Sequence, residues 1–171
     1  MRVALVGAVV LGVLSAFYDF LWAQFNVDHT VINGLVHGMT LLSMAGLILG
    51  WPSGRRGAGL LGGAASGLVA AASFYLFYPL LGYLSAIVAA WIVMWLLFAG
   101  LEAWLRGGSL TDGQVVLRGG IAALLSAGAF YLVSGMWTDH SVAPNYLRNV
   151  LYWSFAFFPG FAALLYRSKG A

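Results

Sequence analysis

Asp19 and His37 are ionisable residues inside otherwise apolar stretches, where a charged group is costly and so marks a site or a buried pair. If the chain turns at about Asp28, Asp19 lies nine residues before the turn and His37 nine after it, at matched depth on antiparallel helices. The two side chains are then placed to pair. His29, Asn33 and His37 also recur every fourth residue, a polar stripe that drifts by about 40° per step. Such a stripe faces a bundle interior or a wet cavity. Three uses stay open: a hydrogen bond that orients two helices, a polar contact to a lipid headgroup or other ligand, and proton transfer or metal ligation.

Two loop pairs come next. Asp28-His29 and Asp139-His140 stand at equivalent turns, and together they would suit a hard or borderline divalent metal. The same residue types serve as helix N-caps, with Asp28 or Thr30 able to satisfy the first free N–H groups of the following helix. Asn145, Arg148 and Asn149 share one helix face, and Arg148 is placed to hold an anionic headgroup or to pair with Asp139. Glu102 and Arg106 form an i,i+4 pair that reads as a solvated rim. No nucleophile elbow, glycine-rich phosphate loop, HExxH or haem-attachment pattern occurs, and no cofactor is implied.

The elements that carry these residues follow from composition. Of 171 residues, 62% are hydrophobic and 8% charged, about a third of the charge a water-covered fold needs. Lipid must cover most of the surface, so the expectation is an all-α integral membrane protein, a single transmembrane domain. Six stretches approach the ~20 residues that cross a bilayer, about 3–25, 30–50, 58–80, 83–105, 115–137 and 146–166. Helices satisfy their own backbone groups in lipid, and the strict alternation of a barrel strand is absent. The first stretch lacks a convincing small-residue cleavage site, so it reads as a retained span rather than a signal peptide. A pI near 9.5 does not mean nucleic acid, because the basic residues are scattered at helix ends. With six alternating spans, Arg2, Arg55, Arg56, Arg106, Arg118, Arg167 and Lys169 share one side and only Arg148 the other, which makes both termini cytoplasmic. Cysteine is absent, so compartment cannot be read from thiol usage. Gly59, Gly63 and Gly67, and Gly34 with Gly38, are spaced for close helix packing.

The spans also repeat. Phe17-Tyr18, Phe74-Tyr75 and Phe130-Tyr131 recur at spacings of about 57 and 56 residues, and Gly62-Gly63 matches Gly119-Gly120. Met44-Ala45-Gly46, Phe98-Ala99-Gly100 and Phe158-Pro159-Gly160 keep the same register. Three copies of one helical hairpin describe the pattern.

The last hairpin carries a resemblance. Gly120-Ile121-Ala122, Phe130-Tyr131-Leu132-Val133-x-Gly135, Ser141, Ala143-Pro144-Asn145-Tyr146-Leu147-Arg148 and Phe157-Phe158-Pro159-Gly160 together resemble the final two helices of the Insig family. The matching pattern there is Gly-Ile-Ala, Val-Tyr-Asn-Gly, Ser-Pro-Asp-Phe-Leu, Arg-Ser-Trp-Leu and Phe-Phe-Ala-Gly-Gly; the loop here closes one residue sooner. The Asp-Arg-Ser-Arg stretch of the animal proteins has no clear counterpart. The resemblance implies a non-enzymatic protein whose helices enclose a cavity for a membrane lipid, diacylglycerol- or sterol-like. It also implies a membrane-protein partner, and it transfers Tyr131, Gly135, Tyr146, Arg148, Phe158 and Gly160 as cavity or structural residues, beside Asp19 and His37 as ligand-binding candidates from their placement in the spans. A homo-oligomer is compatible with the same composition. The rival expectations are a small proton-coupled transporter using Asp19 and His37, with Pro159 as the one mid-span helix break, and an intramembrane metal-dependent enzyme using the Asp-His loops.

Overall fold

The computed structural model describes residues 1–25, 30–109, 113–137 and 145–166. Every regular element among the described residues is helical: α1 (Arg2–Phe25), α2 (Val31–Gly50), α3 (Arg56–Leu81), α4 (Tyr83–Leu105), α5 (Gly113–Trp137) and α6 (Tyr146–Leu165). These bounds fall within two residues of those expected from sequence. Helices α1 to α5 are long and apolar enough to cross a membrane. In α6, Arg148 and Asn149 dilute an otherwise aromatic and aliphatic helix of similar length. Thr30 caps α2 by accepting from the Asn33 N–H, and Asn145 caps α6 by accepting from the Arg148 N–H. Gly82, at φ 74°, is the single residue between α3 and α4, a left-handed conformation that glycine adopts without strain. Both internal prolines, Pro79 and Pro159, are accommodated without ending their helices.

The helices form a ring in the order α1, α6, α5, α4, α3, α2, with close packing at every step except the last, where α2 meets α1 only loosely. Gly7 of α1 lies against Ile48 of α2 and Phe161 of α6, so the chain's two ends share one end of the ring. The tightest step is α2 on α3. Gly46 faces Gly59 and Gly63, and Gly38 faces Gly67, with backbones so close that a Cβ at Gly46 would meet the Gly59 carbonyl. The small-residue stripe therefore packs as its spacing predicts, except that Gly34 receives the hydroxyl end of Tyr75. Aromatic side chains fill the other half of the ring. Trp91 stacks on Phe130 at 4.8 Å and on Phe157 at 5.0 Å, while Trp95 lies edge-on to Phe98 and Phe161 and flat against Gly160.

The terminal end is basic, and its arginines do more than mark a membrane side. Arg55 donates to the Trp104 carbonyl at 3.0 Å and lies 4.4 Å over the Trp104 ring, while Arg118 donates to the carbonyls of Leu164 and Tyr166. Guanidinium groups thus satisfy the C-terminal carbonyls of α4 and α6, where the helix dipole also favours a cation. Arg148 stands at the opposite end, on α6. Arg167 and Lys169 lie outside the described residues.

Candidate functional site

Successive residues on a helix are about 100° apart, so Tyr18 and Asp19 leave α1 in different directions. Tyr18 points to α2: its hydroxyl donates to Thr40 Oγ1 at 2.8 Å, and its ring meets the His37 ring edge-on at 4.6 Å. The single Thr40 hydroxyl proton is shared between the Val36 carbonyl at 2.8 Å and the His37 carbonyl at 3.1 Å. Asp19 points to α6, where the Trp153 indole N–H donates to its carboxylate at 2.7 Å. Trp153 is held in turn by stacking on Trp91 and Phe157. Of the two ionisable residues expected to meet across α1 and α2, His37 is at that step, whereas Asp19 is turned towards α6 and takes its hydrogen bond from Trp153. Matched sequence depth sets height along the bundle; helix rotation decides the partner.

This polar set lies where the ring is loosest. Phe17 of α1 and Val36 of α2 stand exposed on its lipid side, while Phe20 and Met39 are exposed further round their helices. The result is a strip of hydroxyl and imidazole groups in a seam that exposed apolar side chains flank. Such a strip can hydrogen-bond a hydroxyl or ester while long chains stay in lipid.

The other expected ligand residues are spread more widely. Tyr146 reaches from α6 to the Val13 carbonyl of α1 at 3.3 Å, at the α1–α6 step rather than the α1–α2 seam. Arg148 is half-buried at the start of α6, and its Nε has no protein partner among the described residues. Phe158 packs on the edge of the core. Tyr131 is 59% exposed on α5, away from the α1–α2 step. Sequence reasoning missed Tyr18, Thr40 and Trp153 as members of the set. Thr40 extends the stripe of His29, Asn33 and His37 by one helical turn, which is a readable signal. Trp153 is not readable in that way, because an indole near the middle of an aromatic helix looks like core. Asp28, His29, Asp139 and His140 lie outside the described residues; among the described residues no group of three or more His, Asp or Glu is assembled for a metal.

A separate cleft opens at the terminal end, between α4 and α5, with a volume of about 270 Å³. Glu102, Arg106, Gln114, Arg118 and Leu164 line it. The expected solvated rim is here corrected: Glu102 is only 4% exposed and is ion-paired with Arg106, because α5 and the end of α6 pack over that face of α4. No protein-family model, curated protein or solved structure matches the chain.

Proposed function

We propose that the chain is an Insig-like intramembrane lipid-binding protein that takes a diacylglycerol- or sterol-like amphiphile at the α1–α2 seam. One observation carries this reading: the one loosely packed step of the helix ring holds Tyr18, His37 and Thr40 beside exposed apolar side chains, with Asp19 one helical position away on the α6 side of α1. Polar groups within a span face protein, water or a ligand, seldom bare hydrocarbon. A neutral head with one free hydroxyl suits this strip, since it brings donors and acceptors without a second charge to desolvate. Acyl chains or a sterol ring system would then lie along Phe17 and Val36.

The remaining architecture belongs to the same reading. Six spans arise if α6, flanked by α1 and α5, crosses with the other five; the internal repeat of the sequence groups them as three helical hairpins, of which α1–α2 is the loosely packed one. Arg2, Arg55, Arg56, Arg106 and Arg118 at the terminal end favour a cytoplasmic side for both termini. Ligand occupancy that tightens α1 against α2 would change the surface offered to a membrane partner or to a second copy of the chain.

Photoreactive diacylglycerol and sterol analogues, incorporated into membranes with the protein and mapped by peptide mass spectrometry, test the site. Labelling concentrated on α1 and α2 and competed by the unmodified lipid is the expected result. Even labelling of all lipid-facing helices would reject the seam as a site.

A further inference from the structure

The cleft at the terminal end is independent of the α1–α2 seam, and its chemistry is different. Two guanidinium groups, Arg106 and Arg118, line it with one carboxylate, Glu102, and two neutral hydrogen-bonding side chains, Gln114 and Ser109. The formal charge of the lining is therefore two positive against one negative, a net excess of one. Glu102 is paired with Arg106, which fixes that guanidinium in place, and Arg118 is fixed by donating to the Leu164 and Tyr166 carbonyls. A guanidinium carries five N–H donors, so neither set of bonds exhausts its arginine. The first turn of α5, through Gln114 and Val115, also borders the cleft. Two pre-positioned arginines and about 270 Å³ of space fit one tetrahedral oxyanion.

We propose that this cleft binds a phosphate group, supplied by the headgroup of an anionic phospholipid or by a soluble phosphate. The position at a bundle end, where headgroups lie, allows the first source. The buried carboxylate tunes the site. Glu102 cancels half of the arginine charge, so it sets affinity low enough for exchange rather than permanent occupancy.

The purified full-length protein in nonionic detergent supplies the test, read as thermal stabilisation and as bound-ligand mass. Three probes are titrated separately: inorganic phosphate, short-chain phosphatidic acid, and short-chain diacylglycerol as a control without phosphate. Phosphatidic acid alone stabilising the protein would identify a lipid source; inorganic phosphate sufficing would identify a soluble one; either result supports the site. Arg118→Gln should weaken phosphate binding about tenfold, the value of one charge-assisted hydrogen bond. Glu102→Gln should strengthen it by a similar factor, a gain that loss of folding cannot mimic. Stabilisation equal for diacylglycerol and phosphatidic acid, or phosphate binding that Glu102→Gln leaves unchanged or weakens, overturns the proposal.

Discussion

Trp153 and Asp19 are joined by one hydrogen bond of 2.7 Å, and in a span there is little else to solvate a carboxyl group. Trp153→Phe keeps an aromatic ring in the stack with Trp91 and Phe157 but removes the donor. The expected cost is about 1–3 kcal/mol, seen as a lower unfolding temperature in detergent. Trp153→Phe combined with Asp19→Leu should recover much of that loss, because no polar group is then left unsatisfied. A double variant no better than Trp153→Phe alone would mean that Asp19 is solvated by some other route. At this scale the sequence made Asp19 and His37 visible, since polar residues in apolar runs are rare. It could not assign their partners, which depend on how α1 is rotated between α2 and α6.

Helices and their seams obey a different logic, set by backbone approach. Gly63 and Gly120 are equivalent by the internal repeat, yet a Cβ at Gly63 would meet the Leu42 carbonyl of α2, whereas at Gly120 it would meet nothing. Gly63→Ala should therefore destabilise by about 1–3 kcal/mol, and Gly120→Ala should be neutral or stabilise by up to ~1 kcal/mol. Equal effects in a thermal melt would contradict the observed α2–α3 packing. Arg55→Gln removes the bonds to the Trp104 and Leu105 carbonyls and the cation–π contact with Trp104, and a loss of about 1–2 kcal/mol is expected. Helix bounds were legible because apolar runs of membrane length end at Gly, Pro, Arg and capping residues. The unequal seams were not, because the repeat makes three hairpins look alike while particular side chains decide which closes. Tyr75 fitted over Gly34 and the glycine pairs of α2 and α3 draw α2 towards α3 and leave α1 to pack on α6.

For the whole molecule, composition alone pointed to lipid as the solvent, and five helices of spanning length and apolarity agree with it. Sidedness is directly testable, since the chain has no cysteine and single thiols report unambiguously. In intact cells Ser53→Cys, in the turn between α2 and α3, should resist an impermeant thiol reagent, and Leu81→Cys, at the far end of α3, should react. The opposite pattern would invert the topology drawn from the arginines. Because Ser53 and Leu81 sit at opposite ends of one α3-bounded segment, reaction at both would mean that α3 does not cross. The lipid reading itself is tested most directly by native mass spectrometry of the detergent-purified protein, with identification of what co-purifies. One diacylglycerol- or sterol-like lipid at near-equal molar ratio, retained by Tyr131→Ala on the outer face of α5 but lost from a folded His37→Ala variant, is the expected result. A folded wild-type protein carrying no such lipid, or a lipid held equally well by His37→Ala, would contradict it.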